Sequence, residues 1–213
     1  MLEAFDKSLL LWLNSFHAPF FDGLMWAFSR TDTWLLFFTA LLVTLMKGRD
    51  KCQQLLLILA IVLLIVFTDQ VSAHVIKPYF QRLRPSHQPD IAHMVHLVRG
   101  YKGGLYGFVS SHAANTFGLA TFLSLVFRRR MTIIMLFLWA LLCSYSRIYL
   151  GVHFPGDILC GGILGVFVAF AIYRMLTHFK ELTDTKPSQN LLIIGFFLSL
   201  LFAFARGIAF LFT

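Results

Sequence analysis

Charge is what this sequence lacks most. Only 13% of its 213 residues are Asp, Glu, Lys or Arg, about half the share usual in a soluble globular chain. With 58% hydrophobic residues and a mean hydropathy of +0.76, that deficit excludes an ordinary water-soluble domain and points to a membrane protein. Cysteine is scarce too. Cys52, Cys143 and Cys160 lie in or beside apolar stretches without paired or metal-ligand spacing, which excludes a disulfide framework and leaves them as small apolar fillers. No signal-peptide pattern opens the chain, because Glu3, Asp6 and Lys7 break up its start. Without internal repeats or low-complexity tracts, a single membrane-embedded domain over 1–213 is expected.

What is present is apolar and basic. The formal net charge is +8, but the cations form no exposed run or binding module, so no nucleic-acid partner is expected. Segments 33–46, 55–75, 110–127, 131–149, 157–173 and 191–212 approach the roughly 20 apolar residues that span a bilayer. The expected fold is an all-α integral membrane protein, a bundle of six transmembrane helices. Ahead of them, Leu2, Phe5, Leu9, Trp12, Leu13 and Phe16 recur at helical spacing beside Asp6, Lys7 and Asn14. This predicts an amphipathic helix at the membrane surface, within an interfacial segment 1–30. Nine of the eighteen Lys and Arg form three short-loop clusters: Lys47, Arg49 and Lys51; Arg128, Arg129 and Arg130; Arg174, Lys180 and Lys186. Six spans place all three on one face, which the positive-inside rule makes cytoplasmic. The other face then looks outward, toward the periplasm if the membrane is a bacterial inner one.

Three polar clusters fall on that outward face, within residues 77–157: Lys77 to Pro85, Val109 to His112, and Ser146 to Asp157. Ionisable groups at membrane depth are costly and mark function. A phosphoryl group spreads negative charge over its equatorial oxygens during transfer, so its catalyst needs positioned cations and donors. Lys77, Arg84 and Arg147 supply cations and Ser110 a hydroxyl. If Ser110 to His112 begin a helix, its N–H groups also face the anion. Asp157, four residues after His153, can accept from one ring nitrogen and leave the other as nucleophile. His112 can then serve as acid to the leaving oxygen and base to water. The cations perform the charge stabilisation, so neither metal nor cofactor is expected.

The spacing Lys77-(six residues)-Arg84-Pro85, then Ser110-x-His112, then Ser146-Arg147-(five residues)-His153-(three residues)-Asp157 resembles the type 2 phosphatidic acid phosphatase superfamily. That all-helical family includes membrane lipid phosphatases and soluble vanadium haloperoxidases. The resemblance implies a metal-independent phosphatase using a phosphohistidine on His153, oriented by Asp157. His112 would act as acid–base, and Lys77, Arg84, Ser110 and Arg147 would bind phosphate. One motif departs: Val109 and Ser111 stand where the family usually has Pro and Gly. Ser111 keeps the backbone N–H that the Gly normally offers to phosphate.

The expected partners are the bilayer and a lipid phosphate. Undecaprenyl diphosphate is mildly preferred over phosphatidate, phosphatidylglycerol phosphate or a lipid A phosphate, because little outer loop is available to read a large sugar. Two alternatives stay open: phosphoryl transfer to another lipid, and lipid binding or movement without cleavage. Of the remaining polar residues, Asp69 reads equally as a buttress for a site cation or as an interfacial helix end, and Arg99 with Lys102 reads as solvated loop ahead of a headgroup or second-phosphate contact. Trp12, Trp26 and Trp34 read as interface anchors and Trp139 as packing.

Overall fold

The computed structural model describes residues 1–179 and 189–212; Lys180 and Lys186 of the third basic cluster lie outside them. Helices α1 (Leu2–Asn14) and α2 (Pro19–Phe28) come first, and a 3-10 turn at Thr31–Trp34 leads into α3 (Leu35–Met46). Helix α4 (Lys51–Gln70) continues through a π-helical turn, Val71–Ile76, into α5 (Lys77–Phe80). The chain then crosses a long loop with short 3-10 turns to α6 (Ser111–Phe127), α7 (Arg130–Tyr149), α8 (Pro155–Phe179) and α9 (Asn190–Phe210).

Among the described residues four helical stretches are long and apolar enough to cross a membrane: Lys51–Phe80, Arg130–Tyr149, Pro155–His178 and Asn190–Phe210. The other two expected spans form shorter helices, Thr31–Met46 and α6. At 1.5 Å rise per residue the 17 residues of α6 reach only about 26 Å. The outward faces are made for hydrocarbon. Leu55, Leu59, Val62 and Phe67 on α4, Phe167 on α8 and Leu201 on α9 are all exposed. Such surface is stable only where the surroundings are apolar and each helix satisfies its own backbone.

Helix α6 runs through the middle, where Ala113, Ala114, Gly118, Ala120, Phe122 and Leu123 are buried. It lies close against α8 because both helices present glycine at the crossing. A Cβ on Gly165 would stand 2.8 Å from the Gly118 nitrogen, and one on Gly118 would stand 3.1 Å from the Gly165 carbonyl oxygen. Small residues let backbones approach where no water is available to drive association. This crossing fixes how the starts of α6 and α8 sit side by side.

Trp34 departs from its expected place at an interface. It is 1% exposed and packs against Phe28, Phe37, Trp139 and Phe196, with Nε1–H donated to the Phe28 carbonyl at 3.0 Å. The reason is α2, whose Leu24, Ala27 and Phe28 are buried in the bundle while Gly23 abuts α9. The 1–30 segment therefore divides into two helices with different surroundings. Helix α1 turns its apolar Leu2, Phe5 and Trp12 outward and its polar Asp6 and Asn14 inward. Asn14 donates to the Tyr149 carbonyl at 2.7 Å and accepts the His96 N–H at 2.7 Å, tying α1 to the end of α7 and to the long loop.

Candidate active site

Helices α6 and α8 begin at the same end of the bundle. Ser110 caps α6 by accepting the Ala113 N–H at 3.4 Å, and its own N–H donates to the Asp157 carbonyl at 3.0 Å. Helix N-termini carry partial positive charge, so two of them together favour an anion between them and the facing loop.

His153 lies in the short loop between α7 and α8 and is 1% exposed. Its Nδ1 faces Asp157 Oδ2 at 3.4 Å, and its Nε2 stands 3.1 Å from Arg84 Nη1. The Asp157 carboxylate is oriented in turn by the Phe154 N–H at 3.1 Å. With the Nδ1 proton toward the carboxylate, Nε2 presents its lone pair to the Arg84 N–H. Burial first, then the charges of Arg84, Arg147 and Lys77, hold the His153 pKa well below its ordinary 6.5. The ring is therefore neutral at neutral pH, the form in which nitrogen attacks phosphorus.

Cations surround it. Arg84 is held by the Tyr106 and Val152 carbonyls, each at 3.2 Å, and by its backbone N–H on Leu105 at 3.0 Å. Burial, then the neighbouring Arg147 charge, lowers the Arg84 pKa below the ordinary guanidinium range. Arg147 is 4% exposed and bonds to Ser29 Oγ, while its buried Nε–H has no hydrogen-bond acceptor among the described residues. A buried donor left open marks a place for an anion. Lys77, which the π turn carries onto α5, donates from Nζ to Ser111 Oγ at 3.1 Å. The serine that replaces the family glycine thus anchors a site cation.

His112 lines a cavity of about 550 Å³ together with polar Ser111, Asn115 and Asp69 and apolar Leu41, Ile61 and Leu123. Its ring stands within electrostatic reach of His153, Arg147, Arg84 and Lys77. The structure thus brings Lys77, Arg84, Ser110, Ser111, His112, Arg147, His153 and Asp157 to one end of the bundle. Arg99 lies elsewhere, over the Phe210 ring at 4.6 Å, lining a separate pocket with Arg30 and Arg206. His96 bonds Asp22 at 2.9 Å and stacks on His17. Among the described residues no three His, Cys, Asp or Glu side chains gather closely enough to hold a metal ion.

Four contributors escaped the sequence reading. Arg82 donates to Asp157 Oδ1 at 2.8 Å and to Asp6 Oδ2 at 2.7 Å. Asp6, on α1, also accepts the Gly156 N–H at 2.8 Å. Gly107 packs against the site, where a Cβ would meet Asp157 Oδ2 at 2.8 Å and Arg84 Cγ at 3.3 Å. Ser29 holds Arg147. Arg82 offered a faint signal, a third cation between Lys77 and Arg84; Asp6, Ser29 and Gly107 offered none.

Residues 54–181 match the model of the PAP2 superfamily. The chain belongs to that superfamily. It is 42% identical over 173 residues to a lipid A 4'-phosphatase of Bacteroides thetaiotaomicron, covering 81% of this chain and 77% of that protein. A lipid A 4'-phosphatase of Porphyromonas gingivalis is 37% identical over 83% of this chain and 75% of its own. The crystal structure of Aquifex aeolicus LpxE superposes with a TM-score of 0.59 at 29% identity, covering 78% of this chain and 93% of that one. This PAP2 protein is a phosphatase and an integral membrane protein.

Proposed function

We propose that this PAP2 phosphatase hydrolyses a phosphate ester of a lipid A-type glycolipid through a phosphohistidine on His153. One observation carries the chemistry: His153 Nε2 faces Arg84 while Nδ1 faces Asp157. A phosphate oxygen entering between the ring and Arg84 takes over that N–H, and Arg147 and Lys77 meet the remaining oxygens. Nε2 then attacks phosphorus, and the bond to the lipid oxygen breaks as His112 protonates it. A water molecule gives its proton to His112 and attacks the phosphohistidine, releasing phosphate and restoring His153. Ser110, Ser111 and the two helix starts supply further donors to the transferring group.

The lipid assignment rests on identity over most of the chain with two proteins named lipid A 4'-phosphatase. Undecaprenyl diphosphate is the second reading, favoured by 29% identity over 97 residues to undecaprenyl-diphosphatase BcrC of Bacillus subtilis. The apolar cavity beside His112 suits the chain of either lipid. Six helices, with α3 and α6 as the short pair, span a bacterial inner membrane in this proposal. The single domain keeps α1 at the interface and turns the site toward the periplasm.

The test is phosphate release by detergent-purified protein, with EDTA present, from lipid A, undecaprenyl diphosphate, phosphatidate and phosphatidylglycerol phosphate, beside His153→Ala. Release from lipid A that resists EDTA and vanishes in the variant is expected. Faster release from the prenyl diphosphate would replace the lipid assignment. Release that persists in His153→Ala would remove the phosphohistidine, and release that needs an added acceptor alcohol would make the enzyme a transferase.

A further inference from the structure

The carboxylate that orients His153 is itself held from outside the motifs. Asp157 is fully buried and presents Oδ2 to His153 and Oδ1 to Arg82 Nη1, at 2.8 Å. The second Arg82 nitrogen is taken by Asp6 Oδ2 at 2.7 Å, and Asp6 Oδ1 accepts the Gly156 N–H at 2.8 Å. The Arg82 guanidinium is further fixed over the Phe154 ring, 4.2 Å from its centroid. Asp6, Arg82 and the 153–157 turn thus close a ring of contacts: α1 to the turn, the turn to the long loop, and the loop back to α1. All three side chains are largely shielded from water, with relative side-chain exposures of 14%, 25% and 0% for Asp6, Arg82 and Asp157. Charge-assisted bonds keep more of their strength where water is excluded.

We propose that Arg82 and Asp6 are positioning residues for the phosphoryl transfer, and that the N-terminal helix is a working part of the active site rather than only a membrane contact. Arg82 touches neither phosphate nor His153; it acts through Asp157. Asp6 acts one bond further out, by aiming the Arg82 fork and by holding Gly156 at the start of α8. A planar fork that bridges two carboxylates cannot be replaced by a point charge, so Lys at position 82 restores charge without restoring the bridge. This inference rests on the phosphohistidine reading.

The experiment compares Arg82→Gln, Arg82→Lys, Asp6→Asn and the double variant Asp6→Asn/Arg82→Gln with the unmutated protein. Phosphate release from lipid A and phosphatidate micelles supplies kcat and KM. A loss on the order of 100-fold in kcat is expected for Arg82→Gln and about tenfold for Asp6→Asn, with KM changed less than about twofold, because misorientation rather than binding is lost. Lys at 82 recovers only part of kcat, and the double variant is no worse than Arg82→Gln, because coupled residues are not additive.

The pH profile gives a readout that a merely structural contact would not move. The groups acting on His153 are Asp157 on α8, Arg84 in the loop, Arg147 on α7, Lys77 on α5 and His112 on α6. Removing the Arg82 charge leaves Asp157 less compensated, so the His153–Asp157 pair holds a proton to higher pH and the acidic limb moves upward. Additive losses, a rise in KM alone, or an unmoved acidic limb would overturn the proposal. If the unmutated protein cleaves neither lipid, the phosphatase reading of the substrate fails separately. Nitrogen NMR titration of isotope-labelled histidine in Arg82→Gln then decides the positioning role, an unshifted His153 sinking it. Thermal unfolding sets aside any variant that does not fold, and the near-isosteric Asp6→Asn keeps the test open.

Discussion

His153 sits among three cations that raise the cost of protonating it, and the consequences reach beyond catalysis. Its pKa is lowered on folding, chiefly by burial and then by Arg84, Arg147 and Lys77. The folded protein therefore binds fewer protons at this ring than the unfolded chain, whose value is near 6.5. Stability from this source is complete above that pH and is lost as the pH falls below it. The melting temperature in detergent is expected to drop on acidification below pH 6.5, and the part due to this ring to disappear in His153→Gln. An identical pH dependence in both proteins would contradict the assignment. Gly107 sets a steric limit at the same place, since a Cβ would lie 2.8 Å from Asp157 Oδ2 and 3.3 Å from Arg84 Cγ. Gly107→Ala must displace one of those two side chains, so under the proposed mechanism kcat is expected to fall at least about tenfold with little change in melting temperature. Ser111→Gly tests the family departure. It frees Lys77 Nζ from its 3.1 Å bond, and a changed KM for phosphate-bearing lipid is the expected reading.

Helices α6 and α8 are held at one separation by a glycine-to-glycine crossing, and the site inherits its width from that separation. A larger side chain at Gly165 would press on the α6 backbone near Ala114 and Gly118. Gly165→Leu is expected to destabilise the fold by about 1–3 kcal/mol, read by thermal unfolding in detergent. It should also spread Ser110 from Asp157, so activity falls further than the loss of folded protein explains. Helix α1 does a different task. Its inward Asn14 bonds to the Tyr149 and His96 backbones, so it braces the end of α7, which carries Arg147. Asn14→Leu leaves a buried carbonyl unmatched and is expected to cost about 1–3 kcal/mol, measured the same way.

The whole molecule segregates charge by end. Arg128, at the far end of α6, donates to the Tyr173 hydroxyl on α8 at 2.8 Å, so Arg128 and the neighbouring Arg174 share the end opposite the site. Lys51 and Cys52 begin α4, whose rod carries Lys77 to the site end, which puts them at that same far end. With the site facing outward, exposed Cys52 faces the cytoplasm while Cys143 is buried. A membrane-impermeant maleimide is expected to spare Cys52 in intact spheroplasts and to label it after permeabilisation. Labelling in intact spheroplasts would invert the proposed orientation.

The apolar content, the helical class and the eight motif residues were all legible in order along the chain. The bilayer demands long apolar runs, and phosphoryl transfer demands particular side chains at particular spacings. Segment lengths were less legible: the rod through Lys77 runs to Phe80, well past the expected end at residue 75. Apolar periodicity stops where polar residues begin, although the backbone keeps winding through a π turn. Only the tertiary structure turned Trp34 from an interface anchor into core, because α2 covers it. Only it brought Asp6 and Arg82 to Asp157, and Ser29 to Arg147. Those contacts join residues far apart in the chain, and no local pattern records them. The sequence by itself determined the helical membrane class and which polar side chains are available along the chain. The packing of α1, α2, α6 and α8 decided which groups hold those side chains in place, because orientation depends on distances that spacing along a chain does not contain.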